Sequence, residues 1–510
     1  MPEIFFTTNP AEWTALEGLY ISERKSPGFI AGVSANVVGI AGKCVRGPTT
    51  PQEITSTARF VEVYGERDVN GDGTAALVGE VWRALLNKPF GKVIAQRAYA
   101  AAAVAASIGL ETAAGGAGTI IGTLAASSPG TWGNSIKAKV ETASDADATH
   151  WNLRVKWLGS TYLYENLNTS TGVDNTATVI GDDAGNLITF TKSNSGRPVN
   201  NAASTDGADT DGYITVGVTQ SGFTVVAGTD GSIAASDYNT AIDALAAYSG
   251  VSVALVAEDG ATAATYNGHL VTIAALAIDR LFLTWSGANG QAVATEASAK
   301  AAQITTESDR IVWCYNAAKI LDPVTGLKIA SPPHHWLASI LSQNDVDVHP
   351  GADECKKQLA GALELYNQTL TRADLITLLD AGISALEKVD GGFAFHSAVC
   401  TDGSEITTRR SRDFLQLSAA RRLRTYVKSK ATRTRRLQMV GELKAFSQQL
   451  QDDERIIEAF EVRDDVTSTI QAGMGLRRVL WRVRFIGHMR FLVLETDMGT
   501  GVVIDQGFAA

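Results

Sequence analysis

The sequence lacks the features that mark secreted and membrane proteins. It has only four cysteines in 510 residues, far apart and without a Cys-x-x-Cys pair, which fits neither a disulfide framework nor a zinc site. No apolar run reaches the roughly 18–20 residues that a membrane-spanning helix needs. The start, MPEIFFTTNPAEW, has no basic stretch followed by an apolar one. We therefore expect a protein that stays in a cytoplasm, makes no direct membrane contact and keeps its cysteines reduced and mostly buried.

Clusters with the spacing of a catalytic or metal site are also scarce. His334 and His335 lie in a proline-rich stretch that predicts an irregular loop with solvated histidines, and their spacing matches no short metal-ligand template. Cys400 and His396 have no thiol-nucleophile signature around them. The glycines at 116–122 lack the strand, helix and acidic residue that a dinucleotide site requires. We expect no enzymatic activity, no cofactor and no metal site.

What the sequence does have is an uneven charge distribution around a net charge of −10. Residues 1–400 carry −15, residues 401–450 carry +8 from twelve lysines and arginines against four acids, and residues 451–510 carry −3. Twelve basic residues in that segment exceed what solubility needs. An acidic body with one basic segment indicates a charged partner for that segment, either nucleic acid or an acidic protein surface.

The hydrophobic patterns predict two kinds of structure. From about residue 98 to residue 226, short alternating segments are separated by turn clusters such as GDDAGN, which is typical of an all-β region. Elsewhere buried strands alternate with helices, which are predicted at residues 75–86, 238–248, 266–277, 353–366 and 371–387. VLWRVRF, MRFLVLE and GVVID predict extended strands near the end. The predicted fold class is an α/β (mixed α+β) core domain interrupted by a β-rich inserted domain, with extended strand-like N- and C-terminal arms.

These patterns divide the chain into five segments, in line with the two to four domains that are usual at this length. The segments are an N-terminal arm at 1–28, a first part of the core at 29–117, the β-rich insert at 118–227, the α/β core with its basic helices at 228–480, and C-terminal strands and arm at 481–510. Both ends of the chain are strand-like and lie outside the helical core.

The basic segment is predicted to form two amphipathic helices. In SAARRLRTYVK, apolar side chains fall on one helical face, and Arg421, Arg424 and Lys428 fall on the other. In the second helix Lys444 points away from an apolar stripe formed by Met439, Leu443, Phe446 and Leu450. Few aromatic residues lie among the basic ones, so stacking on single-stranded nucleic acid is not expected.

The stretch SSPGTWGNSI, residues 127–136, predicts a tight multiple turn just before an alternating strand. Pro129 fixes φ, and Gly130 and Gly133 permit backbone angles that other residues avoid. Trp132 is expected to hold the turn against the following strand. By itself the turn predicts geometry and no chemistry.

Six segments in one order resemble the contractile tail sheath proteins of bacteriophages, and the resemblance covers most of the chain. The segments are SPGFIAGVSANVVGIAGKCVRGPTTPQEITS, the Tyr64-Gly65 turn, SPGTWGN, GTDGSIAASDYNTAIDAL, SPPHHWLASILSQNDVDVHPG and TTRRSRDFLQLSAARRLRTYVKS, which is followed by the closing strands. No single segment is decisive, and their order makes the resemblance specific.

The resemblance implies a structural protein without catalysis. Members of the family form a six-start helical sleeve around a rigid inner tube and shorten when triggered, which drives the tube through the host envelope. The implied partners are other copies of the chain in a helical homo-polymer, the tail tube protein, and baseplate and tail terminator proteins. The implied location is the virion tail, after assembly in the host bacterial cytoplasm. The insert at 118–227 is expected to face outward, with the SPGTWGN corner leading into it.

Within this family resemblance, the chain ends and the basic helices acquire physical roles. Extended termini suit strand exchange, in which an arm of one subunit adds to the sheet of a neighbour through main-chain hydrogen bonds. The candidate arm residues are Leu19, Tyr20, Ile21, Val502, Val503 and Ile504. A sleeve that releases its tube favours many weak, exposed charge contacts. The candidates for contact with an acidic tube are Arg433, Arg435, Arg436 and Lys444.

Three other interpretations stay open. A nucleic-acid-binding protein would use the basic residues 409–436, but the acidic body and sparse aromatics count against nucleic acid as a partner. Another virion structural protein, such as a tube or capsid protein, fits a mixed α/β core with extended ends less well. An enzyme, for instance a hydrolase with a β-rich substrate module, needs a convergent acid, base or nucleophile set that the clusters above do not supply.

Overall fold

The computed structural model describes residues 4–6, 19–21, 36–65, 93–113, 118–181, 187–201, 208–218, 223–248, 250–257, 263–276, 279–321, 326–359, 361–430, 432–465 and 478–488. Two compact units are present: the end unit, made of Met1–Ala31 with Ser418–Ala510, and the central unit, Gly32–Leu417. The predicted core segment at 228–480 spans the boundary between them. The predicted helix at 75–86 and the predicted strands MRFLVLE and GVVID, which include Val502, Val503 and Ile504, lie outside the described residues.

The strands are β1 (Ile4–Phe6), β2 (Leu19–Ile21), β3 (Val38–Lys43), β4 (Gln52–Ile54), β5 (Val93–Ala98), β6 (Ser107–Glu111), β7 (Ile120–Ala126), β8 (Lys137–Thr142), β9 (Trp151–Trp157), β10 (Ser160–Leu167), β11 (Ile188–Lys192), β12 (Ile214–Thr215), β13 (Val225–Val226), β14 (Val253–Ala257), β15 (Leu281–Thr284), β16 (Ile311–Tyr315), β17 (Ala318–Leu321), β18 (Lys328–Ser331), β19 (Ala362–Leu365), β20 (Ile383–Val389), β21 (Gly392–Phe395), β22 (Ile457–Asp465) and β23 (Arg478–Phe485). The helices are α1 (Thr57–Tyr64), α2 (Thr176–Gly181), α3 (Ala235–Ala247), α4 (Ala263–Leu276), α5 (Val293–Gln303), α6 (Pro333–Gln343), α7 (Arg372–Asp380), α8 (Ile406–Leu423) and α9 (Arg433–Asp452). The helices predicted at 238–248 and 266–277 are confirmed as α3 and α4, and VLWRVRF is confirmed as β23. None of the helices within the described residues combines the length and the apolar content that a bilayer crossing requires.

The central unit is built on an eight-stranded, mostly parallel sheet. Its strand order is β21-β20-β16-β15-β14-β3-β5-β4, and the two edge pairs, β20–β21 and β4–β5, are antiparallel. The inner strands are continuously apolar, for example VALVA in β14 and IVWCY in β16, because both faces of a parallel sheet are covered. Val253 and Leu255 belong to one hydrophobic core, whereas Ala254 and Val256 belong to another.

Helices cover the two faces of this sheet. Helix α6 contributes Trp336 and Leu337 to the first core. Helix α3 contributes Tyr238 and Leu245, and α4 contributes Leu270, to the second core. The alternation of strands and helices in the sequence therefore predicted the α/β architecture correctly.

Two predicted helices are wrong in whole or in part. Residues 353–366 form a 3-10 turn at Asp353–Leu359 and then strand β19. Residues 371–387 contain only α7, after which β20 begins. Gly382, with φ of +67°, makes the break, and a Cβ there would lie 2.6 Å from the Thr401 carbonyl oxygen, so the site favours glycine. The spacing of the apolar residues in LITLLDAGISALE fits both the helical period of 3.6 and the strand period of 2. Residues 383–385 form a strand because they pair with β16.

The predicted loop around the histidines is also wrong, because Pro333 begins helix α6. Proline is tolerated there since the first-turn N–H groups have no partner inside the helix. His334 and His335 are buried, not solvated. His334 Nε2 lies 2.9 Å from the carbonyl oxygen of Val256 in β14, and burial lowers the pKa of His334 well below its usual value. This residue is a neutral core histidine.

Strands β6 to β13 form two four-stranded sheets, β10-β9-β8-β12 and β11-β7-β6-β13, which we call the β-sandwich. The described neighbours in both sheets are antiparallel. The sheets share a hydrophobic core that includes Leu124, Val140, Trp151 and Leu153. The first strand of the β-sandwich along the chain is β6.

The SPGTWGN corner lies against Arg46, which follows β3 of the parallel sheet. The Arg46 guanidinium is 4.5 Å from the ring centroid of Trp157 and 5.7 Å from that of Trp132, within cation–π range. The two tryptophan rings meet edge to face at 5.7 Å. Arg97 of β5 donates a 2.8 Å hydrogen bond to the carbonyl of Pro129. Trp132 thus holds the corner against the end of β9 and against Arg46, rather than against the following strand alone.

A buried carboxyl in α5 predicts a pH dependence of stability. Glu296 is 1% exposed and accepts hydrogen bonds from Trp313 Nε1 (2.7 Å) and Ser286 Oγ (2.8 Å). Burial raises its pKa to about 7 despite these donors. Because the pKa of Glu296 is higher in the folded than in the unfolded protein, folding favours the protonated carboxyl. The stabilisation from Glu296 is therefore fully present below the pKa of the unfolded chain and is lost as the pH rises through 7. We expect Glu296→Gln to flatten that loss by an amount on the order of 2–3 kcal/mol between pH 4 and pH 8.

Urea unfolding of both proteins across this pH range measures the effect. Asp380→Asn, at an exposed carboxyl in α7, is the control and should follow the wild-type pH profile. A Glu296→Gln profile parallel to wild type contradicts the assignment.

Candidate assembly surfaces

The residues considered for chemistry do not converge. All four cysteines are buried free thiols, as predicted, and burial raises the pKa of Cys400 to about 12. His396 Nδ1 lies 2.9 Å from Glu387 Oε1, so its described partner is a carboxylate. Within the described residues no group of three or more His, Cys, Asp or Glu side chains is arranged to hold a metal ion.

The paired arginines of the basic segment are structural. Arg410 is buried in the central unit and donates to the carbonyls of Leu341 (2.7 Å), Asn344 (3.4 Å) and Asp345 (3.3 Å). These carbonyls lie at the C-terminal end of α6. A cation there hydrogen-bonds to carbonyls that have no partner inside the helix, and it interacts favourably with the partial negative charge of the helix end. Burial lowers the pKa of Arg410 to about 10.

Arg409 belongs to a neighbouring charge cluster, which we call the α8 clamp. Arg310 makes a two-pronged contact with Asp413, each N–O distance being 3.0 Å. Arg409 contacts the same carboxylate and lies 2.8 Å from Asp309. Arg310 and Asp413 are each 9% exposed at the side chain. Arg409, which the sequence analysis grouped with the exposed basic residues, is therefore used inside the fold.

In the end unit, side chains at the end of α8 and in the following turn contact helix α9. Thr432 caps α9 by accepting from the Arg435 backbone N–H. Arg422 reaches Glu442 through two N–O contacts of 3.0 and 2.8 Å, and Tyr426 donates to the same carboxylate at 2.7 Å. Glu442 is 2% exposed, so the charge of Arg422 is also paired inside the fold.

Helix α9 packs on a ribbon of two antiparallel strands, β22 and β23. Trp481 of β23 donates to Ser447 Oγ at 2.9 Å, and its ring lies 6.5 Å from that of Phe446. The exposed side has cross-strand ion pairs, such as Arg484 with Glu458 at 2.9 Å. In the described part of the chain, no third strand joins this ribbon.

The four predicted tube-contact residues do not share one face of α9. Arg433, Arg435 and Lys444 are exposed, as predicted for Lys444, whereas Arg436 is half-buried and lies 3.3 Å from Asp464. At 3.6 residues per turn, Arg433 and Lys444 are only about 20° apart around the helix. Arg435 is about 180° from Lys444. The structure therefore brings two of the four residues to one side.

Seven cations of the basic segment in the end unit are exposed and, among the described residues, lie in no ion pair: Arg421, Arg424, Lys428, Lys430, Arg433, Arg435 and Lys444. The sequence overstated the free charge because internal partners lie far along the chain. One signal was available, since Arg409 and Asp413 are four residues apart, the spacing of a helical ion pair.

Residues 4–6 and 19–21 of the segment predicted to be an N-terminal arm are among the described residues. Leu19, Tyr20 and Ile21 form β2, which pairs in parallel with β1 in the register Ile4–Leu19, Phe5–Tyr20 and Phe6–Ile21. These candidate arm residues form a strand that pairs with β1 of its own chain. The other candidates, Val502, Val503 and Ile504, lie outside the described residues.

Neither a protein-family model nor a curated protein matches the sequence, but solved structures match the fold. The sheath tail protein of Desulfitobacterium hafniense is 13% identical, with a TM-score of 0.54 over 92% of this chain and 100% of that one. The sheath tail protein of Listeria innocua is 13% identical, with a TM-score of 0.56 over 89% and 95%. The helical sheath of the anti-feeding prophage in its contracted state is 12% identical, with a TM-score of 0.53 over 95% and 99%. The chain therefore has the mixed α/β fold of tail sheath proteins, the family that its six sequence segments resemble.

Proposed function

We propose that the protein is a structural, non-catalytic subunit of a contractile tail sheath. The observation that carries the proposal is the fold correspondence, which extends over nearly all of this chain and of the sheath chains it matches. In this proposal copies polymerise into a six-start sleeve around an inner tail tube. Contraction of the sleeve drives the tube through the host envelope. Electron microscopy of the concentrated protein tests it: hollow, cross-striated cylinders are expected, and discrete oligomers only would contradict it.

The proposal extends to the setting of the sleeve. The subunit is placed in the virion tail after assembly in the host bacterial cytoplasm, and it meets the tail tube, the baseplate and a tail terminator. The β-sandwich is the inserted domain that faces outward. The SPGTWGN corner connects its strands β7 and β8 and contacts Arg46 and Arg97 of the core. The compact core of the β-sandwich and its connection through one polar and aromatic junction support this arrangement.

Subunits are joined by strand exchange in this proposal. The β22–β23 ribbon supports it, because among the described residues no third strand covers either of its edges, so backbone donors and acceptors are available there. An extended arm from a neighbouring copy supplies the missing ladder. Main-chain bonds of this kind hold the copies together while their compact units rotate during contraction.

The tube contact is proposed for Arg433 and Lys444, the two exposed candidates on one side of α9. We expect Arg433→Glu with Lys444→Glu to abolish sleeves on purified tubes. Each exposed ion pair contributes only about 0–1 kcal/mol, but the same pairs repeat in every subunit along the tube, so the charge reversal removes all of them together. Sleeve formation is scored by electron microscopy of mixtures of the purified sheath subunit and purified tubes.

The matched control is Lys388→Glu with Arg412→Glu, which makes the same charge change at exposed residues of the central unit. Normal sleeves are expected from the control. Equal loss in both variants points to net charge, and normal sleeves from the α9 variant remove these residues from the contact. A salt-dependent DNA mobility shift, expected to be absent, tests the nucleic-acid alternative.

A further inference from the structure

Helix α9 carries its charges in the order that a helix by itself disfavours. It begins RTRR, and it ends with Asp452, followed by Asp453 and Glu454. The N-terminal end of a helix is partially positive and the C-terminal end partially negative, so cations at the start and anions at the end both lower helix stability. No acid lies in its first turn and no cation in its last.

Other helices of the chain follow the usual order. Helices α3, α5 and α7 have Asp237, Glu296 and Asp374 in their first turns, and Asp374 completes a capping box with Thr371. The reversed order in α9 is therefore not a general property of this sequence. Of the three arginines that begin α9, Arg436 has a carboxylate partner inside the fold, Asp464 at 3.3 Å, whereas Arg433 and Arg435 form no ion pair among the described residues. Charges that lower helix stability and find no internal partner indicate a role outside the fold.

The basic end of α9 is open. From Phe414 to Gly441 the chain has no aspartate or glutamate. Lys428, Lys430 and Arg435 are exposed, and Arg435 Nη1 lies 3.5 Å from the Lys430 carbonyl oxygen, which brings the turn and the helix start together. Two apolar side chains lie within this surface, with Val427 66% and Leu437 60% exposed.

The acidic end is open as well. Asp452, Asp453 and Glu454 are all exposed, and among the described residues no cation forms an ion pair with them. Gln448, a neutral residue, donates to Asp452 Oδ1 at 2.7 Å, and one cation, Arg455, follows the three acids in the sequence. The two ends of a 20-residue helix are about 30 Å apart, too far to neutralise each other in physiological salt.

We infer that the basic end of α9 in one copy of the chain binds the acidic end of α9 in a second copy. The basis is charge complementarity between two open surfaces on one helix, each of which lowers the stability of its own fold. A contact between two different surfaces of identical copies forms a ring if its rotation closes and an open helical polymer if it does not, and the polymer is the form that a sleeve requires. The inference rests on the proposed function and adds to it a salt-sensitive contact between subunits, separate from strand exchange and from the tube-facing pair Arg433 and Lys444.

Charge reversal at each end provides the test. The basic-end variant is Lys430→Glu with Arg435→Glu, and the acidic-end variant is Asp452→Lys with Asp453→Lys; a third protein carries all four changes. Each reversal follows the helix dipole, and Arg435→Glu completes a capping box with Thr432. Folding should therefore be retained, with the melting temperature raised by about 1–2 °C for each variant.

Self-association is measured by sedimentation velocity without tubes, at about 50 mM and about 500 mM salt, where charge contacts are respectively weakly and strongly screened. We expect salt-sensitive oligomers from wild type and at least a tenfold weaker association from each single-end variant. An equimolar mixture of the two single-end variants should associate again, because each reversed end then meets its complement. The four-change protein should associate with itself.

The inference is overturned if the single-end variants associate like wild type, or if the mixture and the four-change protein both stay dissociated. It is also overturned if wild type forms no salt-sensitive oligomer. Restoration in the mixture cannot come from a tube, which is absent. Failure of the proposed sheath function has a different signature, namely head-to-tail oligomers that never form cylinders in the microscope.

Discussion

Deleting residues 1–25, or the residues after Glu495, is expected to leave a folded, soluble chain that forms no sleeve and is a monomer at about 500 mM salt, where charge contacts are screened. The reason is that strand exchange places the attachment between copies in backbone hydrogen bonds made by the chain ends, and either deletion removes one partner of the ladder. The loss should be complete, since every subunit contact of this type repeats along the polymer. Electron microscopy scores sleeves, and sedimentation together with circular dichroism checks that the truncated chains are folded monomers.

A pair of point variants separates the backbone from the side chains. Tyr20→Pro removes an N–H from β2 and should reproduce the effect of the N-terminal deletion, whereas Tyr20→Ala keeps the ladder and should assemble. Normal sleeves from either deletion would refute strand exchange. So would equal assembly by the proline and alanine variants.

Asp413→Ala should produce the largest loss of folding stability. Removing this carboxylate leaves the buried Arg310 guanidinium without a carboxylate partner, next to Arg409, which keeps Asp309. Breaking a buried pair by deleting one partner costs roughly 3–5 kcal/mol, because the remaining charge is uncompensated. Urea unfolding, followed by tryptophan fluorescence, measures the change in the free energy of unfolding.

The control for Asp413→Ala is Glu62→Ala in the same unit. Glu62 pairs with Arg59 at 2.9 Å, but the two side chains are 41% and 46% exposed, so its removal should change the free energy of unfolding by about 0–1 kcal/mol. Similar losses in the two variants would show that the clamp contributes no more than a surface pair. That outcome would mean that the ion pair of Arg409 with Asp413 contributes no more to stability than an exposed pair.

The sequence by itself determined the features that depend on neighbours close in the chain. The alternation of apolar strands with helices α3 and α4 predicted the α/β sheet, because the spacing of the apolar residues within each strand or helix shows which face is buried. The scarcity and separation of the cysteines predicted buried thiols, and the turn residues of SPGTWGN predicted a corner. The order of six segments was enough to predict the fold of a tail sheath protein.

Tertiary structure decided the features that depend on partners far apart in the chain. Whether 383–387 is helix or strand was settled by pairing with β16, and whether Arg409 and Arg410 are surface charges was settled by Asp413 and by the end of α6. Arg310 and Asp413 are 103 residues apart, so no local period reports their contact. The same holds for the free charges: a count along the sequence gives a net +8, but only packing decides which of these cations meet a carboxylate inside the fold and which remain for another molecule.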